Sequence, residues 1–161
     1  MRRQGLLLAW IATTALVSGC GPGASACPAI AQATAVSVTI TAGYAPQVGT
    51  LHLQACQDGY CKEGDLELRP GTTSVDQGCN PEDACSATAS PDGTRVGTLM
   101  LDALTESAMT VTASGAGPDG SALPVRTLQF QPRAVYPFGE QCGKFLTASV
   151  TLDGTGLRES S

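Results

Sequence analysis

The 161 residues are 42% apolar, 14% charged and 4% aromatic, a balance that excludes both a disordered chain and a multi-pass membrane protein. Nineteen glycines and ten prolines disfavour a helical bundle and fit a turn-rich β-domain, and the length is that of one domain. Fourteen acidic residues against nine lysines and arginines give a net charge of −5, which argues against nucleic acid as a partner.

Arg2 and Arg3 precede an apolar run from Leu6 to Val17, and Ser18 and Gly19 then lead into Cys20, the charge, hydrophobe and small-residue order of a secretory signal. At 1.5 Å per residue the run reaches only about 18 Å, against a hydrocarbon core of about 30 Å, so a permanent spanning helix is the weaker reading. Val17-Ser18-Gly19-Cys20 resembles the lipobox of bacterial lipoproteins. The resemblance covers this segment alone and implies that the Cys20 thiol is alkylated by a diacylglyceryl group and that the Gly19–Cys20 bond is cut. A thiol suits that step as a good nucleophile, and small neighbours admit the backbone to a peptidase groove. Palmitate-class chains on Cys20 would anchor the protein stably in the lipid bilayer without crossing it, at the extracytoplasmic face of the cell membrane.

The expected organisation is a cleaved signal peptide over residues 1–19, a lipidated N-terminus and short linker over 20–26, and one β-domain over 27–161. The leash after Cys20 extends roughly 20 Å at most, which keeps the domain near the bilayer. Losing Arg2 and Arg3 leaves seven basic residues against fourteen acidic ones. With no basic cluster to attract anionic lipid, acylation alone must hold the protein. Arginine preferred to lysine, with abundant Ala, Gly and Thr, suggests a GC-rich source, so the lipobox resemblance implies a secreted lipoprotein of the actinobacterial type.

Val36, Val38 and Ile40 alternate with polar residues and predict a half-buried strand, and Leu51, Leu53 and Ala55 predict a second. His52, Gln54 and Cys56 fall on the other face of that second strand. Leu66 and Leu68 suggest a returning strand that Pro70-Gly71 stops. Further strands are predicted at 84–90, 95–101, 107–114, 124–131 and 144–152. Leu101, Leu104, Ala108 and Met109 also fit helical spacing, so at most two turns of helix are admitted there. Asp58-Gly59, Asp92-Gly93, Asp119-Gly120 and Asp153-Gly154 read as tight turns at strand ends. Seven or eight short strands so punctuated predict an all-β, immunoglobulin-like Greek-key β-sandwich, with a barrel second. Trp10 belongs to the signal, so Val, Leu, Ile, Ala, Phe130 and Phe145 must fill the core.

Setting Cys20 aside, Cys27, Cys56, Cys61, Cys79, Cys85 and Cys142 remain, an even number suited to three disulfides in an oxidising compartment. Spacing narrows the fifteen connectivities without selecting one. A hairpin turn at Asp58-Gly59 places Cys56 opposite Cys61, and Cys79 and Cys85 bracket a turn-like loop containing Glu82 and Asp83, which leaves Cys27 for Cys142. Zinc is disfavoured because CxxC pairs are lacking and His52 is the only histidine.

That single histidine also removes copper chemistry of the β-sandwich kind, and without a G-x-S-x-G elbow a Ser-His-Asp centre has little support. Glu63, Asp65 and Glu67 share one strand face, where a divalent cation competes with the plainer reading of a solvated, edge-blunting face. Tyr136 and Phe138, beside Pro137, Gly139 and Cys142, are weak binding candidates set against a role plugging one end of the sandwich. With no catalytic residues and no cofactor identified, the expectation is a binding or interaction module rather than an enzyme. It would dock an envelope protein or wall component through residues 57–60 and 136–141. The alternative is a carrier of a small apolar ligand in a β-barrel cavity.

Overall fold

A computed structural model of the chain describes residues 27–80 and 84–160. The lipobox, Cys20, the linker and Glu82 and Asp83 lie outside the described residues. Ten strands form two sheets: β1 (Ala35–Ile40), β2 (Thr50–Gln57), β3 (Tyr60–Asp65), β4 (Arg69–Cys79), β5 (Cys85–Met100), β6 (Met109–Ala116), β7 (Arg126–Phe130), β8 (Arg133–Val135), β9 (Phe145–Leu152) and β10 (Leu157–Glu159). Among the described residues the only helical pieces are 3-10 turns at Ala45–Gln47 and Glu140–Cys142.

The first sheet runs β10-β9-β1-β5-β4, with β8 also paired to β9, and the second runs β3-β2-β6-β7. β1 pairs parallel with β9 and antiparallel with β5, and the other pairings are antiparallel. Period-two patterning decides what faces inward. Val36, Val38 and Ile40 of β1 meet Ala148, Val150 and Leu152 of β9 on one inner face. Leu51, Leu53 and Ala55 of β2, Met109, Val111 and Ala113 of β6, and Phe130 of β7 form the other. Tyr44, Ala45 and Val48 close the core from the β1–β2 connection. Among the described residues the fold is thus all-β and sandwich-like, and no barrel is closed. Phe145 is only half-buried and lies outside this core.

Several sequence expectations need correction. Leu66 is buried, but residues 66–68 are an irregular link rather than a returning strand. Pro70-Gly71 does not stop a strand, and the segments predicted at 84–90 and 95–101 are one strand, β5. The physical reason is a bulge. Pro70 pairs with Arg95 and Thr72 with Pro91, so Gly71 on β4 faces Asp92, Gly93 and Thr94 on β5. Gly93 sits at φ 79°, and Asp92 accepts hydrogen bonds from the Thr94 N–H at 2.9 Å and its hydroxyl at 2.6 Å. A Cβ on the buried Gly71 would overlap the Thr94 hydroxyl, so any larger residue there must displace that side chain and its hydrogen bond to Asp92. Turn-forming residues on both strands thus bend a ribbon instead of ending it. Residues 101–108 form no helix, because Met109, whose N–H a helix would direct to Thr105, belongs to β6.

All three disulfides are present as Cys27–Cys142, Cys56–Cys61 and Cys79–Cys85. The long one ties the segment before β1 to the 3-10 turn before β9, bracing the parallel pair at its start.

Candidate binding surface

Asp58 (φ 51°) and Gly59 (φ 83°) both adopt left-handed backbone, as a two-residue turn twisted to match its strands requires. Gln57 therefore opposes Tyr60, and Cys56 opposes its disulfide partner Cys61 on the outward face of β2 and β3. Tyr60, at the strand start, is left 84% exposed.

The 101–108 connector is laced to this hairpin. Gln57 Nε2 donates to the carbonyls of Thr105 at 3.0 Å and Ser107 at 2.6 Å, and the Thr105 N–H donates to Gln57 Oε1 at 3.0 Å. The Thr105 hydroxyl donates to Asp58 Oδ2 at 2.7 Å. That hydrogen bond first, and one from Ser107 second, hold the Asp58 carboxyl below its ordinary value. Lys62 and Asp102 pair at 3.2 Å across the same junction. Between hairpin and connector lies a half-open cleft of about 180 Å³, with Ala55, Leu101 and Met109 among its apolar walls and Tyr60, Lys62 and Asp102 among its other lining residues. An apolar floor with a few polar groups at its margin suits a side chain that is greasy along its length and polar at its tip. Lys62, Asp102 and Thr105 have no marker in the sequence, and Gln57, within the 57–60 loop expected to dock a partner, has none for its link to the connector, since the residues that meet are about 40–50 positions apart.

The two aromatic candidates separate. Phe138 packs edge-to-face against Phe145 with ring centroids 6.1 Å apart, whereas Tyr136 is 46% exposed. Cys142 lies in the adjoining 3-10 turn, where its disulfide and a hydrogen bond from its N–H to the Gly139 carbonyl fix the loop.

His52 lies on the outer face of the second sheet, directly between Asp65 of β3 and Ser114 of β6. Its Nδ1 is 2.9 Å from Asp65 Oδ1. This brings a serine, a histidine and a carboxylate into one row, but no hydrogen bond joins Ser114 to His52 among the described residues, and the row runs across a solvent-facing sheet surface. The acidic face of β3 is likewise occupied by local partners. On β3, Glu63 accepts from Gln54 Nε2 at 2.7 Å and Asp65 meets His52, whereas Glu67, expected on the same strand face, lies in the irregular 66–68 link and pairs with Arg69 at 3.0 Å, which holds its carboxyl below the usual range. No group of three or more metal-capable side chains converges among the described residues.

No family model, curated protein or solved structure matches the chain.

Proposed function

We propose that the chain is a lipoprotein, tethered through Cys20 to the extracytoplasmic face of the cell membrane, that acts as a binding module for an envelope protein or wall component and not as an enzyme. The observation that carries the binding reading is Tyr60, an aromatic side chain left in solvent beside an apolar cleft whose two walls are already fixed to each other. The Cys56–Cys61 disulfide, the Gln57 hydrogen bonds and the Lys62–Asp102 pair hold that rim before any partner arrives. Little ordering entropy then remains to oppose binding. Exposed tyrosine at the margin of a rigid cleft is also the residue type that recurs at interaction hot spots. Three disulfides support an oxidising compartment, in keeping with export.

The immunoglobulin-like Greek-key architecture belongs to the same proposal. Its support is the chain's repeated passage between the two sheets, and the parallel β1–β9 pair is the feature such a relationship must accommodate.

A photo-crosslinking residue at position 60, expressed in intact cells, tests the binding reading. The expectation is a discrete adduct from position 60 that competes away with unlabelled protein and is weakened by Lys62→Ala. Adducts from an exposed control position such as Thr127, equal in pattern and yield to those from position 60, would refute it. Incorporation of labelled palmitate, lost in Cys20→Ala, tests the tether separately.

A further inference from the structure

Beyond the bulge at Gly71, β4 and the first part of β5 leave the sandwich as a two-stranded arm. Residues 72–80 and 84–89 are exposed on both ribbon faces, and Val75 is 43% exposed. Eight residues from Thr72 to Cys79 extend roughly 25 Å at strand rise. A ribbon with no core on either side is marginal in water, and here its tip is closed by Cys79–Cys85.

Among the described residues the outer side of this arm is an open backbone edge, because β4 ends the sheet order and pairs only with β5. The other margins are protected. β8 and β10 have three residues each, β3 carries Lys62, Glu63 and Asp65, and β7 carries Arg126 and follows Pro124. Between Thr72 and Cys79, β4 has no proline and no lysine, and Asp76 is its single charge. The regular stretch of this edge is Thr72 to Asp76, ahead of a second register shift before Cys79, and an edge stretch lacking these guards is a template for another strand.

Its hydrogen-bonding phase can be read from one residue. Pro91 has no N–H, so Thr72 and Pro91 must form a non-hydrogen-bonded pair, and the backbone groups of Thr72 point away from β5. By alternation, those of Ser74 and Asp76 point the same way. Three outward residues spaced by two are self-complementary about the middle one. A second β4, antiparallel and centred on Ser74, would pair Ser74 with its own copy and each Thr72 with the other chain's Asp76. Every outward N–H and C=O in this stretch then finds a partner, and the two Asp76 carboxylates stay apart.

We infer that the β4 edge of the arm is a homodimerisation site, in which two copies of the chain pair antiparallel about a two-fold axis at Ser74 and join their first sheets into one. The symmetry is isologous and closes at two, so the arm does not propagate a fibre. The interface is small and its association correspondingly weak, strengthened when both copies share a membrane surface.

The test uses the full chain in non-ionic detergent, with sedimentation velocity up to about 1 mM, the range of weak complexes. The expected result is a concentration-dependent shift to twice the protein mass, abolished by Ser74→Pro, which removes an outward N–H without breaking a β4–β5 hydrogen bond. Ser74→Cys provides a readout that does not depend on proline tolerance. Directly opposed hydrogen-bonded residues have Cα atoms about 5.5 Å apart, within disulfide range, so Ser74→Cys should cross-link at least about tenfold faster than Val75→Cys. A wild-type chain that remains monomeric, or equal cross-linking at the two positions, overturns the proposal. Protection of the β4 amides only on adding a different protein also overturns it and assigns the edge to a foreign strand.

Discussion

Replacing Cys27 and Cys142 together by serine isolates the bridge with the longest reach. It spans a sequence separation of 115, whereas Cys56–Cys61 spans 5. In the chain-entropy model those loops confer about 4.8 and about 2 kcal/mol respectively at 25 °C, by restricting the unfolded chain. The structure shows why the larger value should survive in the native protein. β1 and β9 are parallel neighbours whose paired residues Val36 and Ala148 are far apart in sequence, and the bridge holds the two segments together just before the pairing begins. Without it, closing that loop must be driven by the core contacts themselves. Denaturant unfolding should therefore show the Cys27→Ser, Cys142→Ser protein losing roughly twice the stability lost by the Cys56→Ser, Cys61→Ser protein, with a larger m-value because its unfolded chain expands further. An equal or smaller loss would refute the reasoning, meaning that the unfolded chain already keeps those ends together or that the bridge strains the native state.

Gln57→Ala removes three hydrogen bonds between the hairpin and the 101–108 connector, so amide exchange at Thr105 should accelerate at least tenfold while β1 and β9 amides remain unchanged. Asp153 is held below its ordinary carboxyl value first by the Thr155 hydroxyl and then by the Thr155 N–H. A depressed folded value contributes stability above the unfolded pKa that is lost as pH falls through the folded value, so the effect lies at the acid end, below the usual aspartate range. In a carboxyl-resolved NMR titration, Thr155→Val should move the Asp153 midpoint upward. Leu53→Ala truncates a side chain with no exposure between the sheets and should cost about 2–5 kcal/mol of global stability, read by urea unfolding. Cys79→Ser with Cys85→Ser should instead speed exchange mainly along the arm, and a global loss as large as that of Leu53→Ala would contradict the arm's independence.

What the sequence makes legible is what hydrophobic alternation controls. β1, β2 and β9 follow strict period two because one face of each is buried, and their inward residues are those the pattern selects. The arm is read only in part, as the segment 84–90 without its partner 72–79, for the opposite reason. It buries neither face, so it leaves no alternation, and its bulge residues mimic the punctuation of a turn. β8 and β10 are too short to establish a period. At the candidate site the hairpin was readable, since Asp58-Gly59 has local turn chemistry. Its other wall was not, because the Gln57 contacts to Thr105 and Ser107 depend on tertiary placement.

The disulfides and the core do different work, and their positions separate them. Cys56–Cys61 lies within the second sheet and Cys79–Cys85 within the first, and Cys27–Cys142 reaches only the turn that feeds β9. None of these cysteines belongs to the buried core, and no bridge crosses from one sheet to the other. Cohesion between the sheets therefore rests on side chains such as Val38, Val150, Leu53 and Val111, all without exposure. The bridges act where burial runs out: at a hairpin tip, at an arm tip and at the irregular segment before β1. A domain with few aromatics and three disulfides can in this way keep a small aliphatic core and still present rigid extremities. Two of those extremities carry the proposed contact surfaces, the Tyr60 rim and the β4 edge, so on those proposals losing a tip disulfide should weaken those contacts before it unfolds the domain.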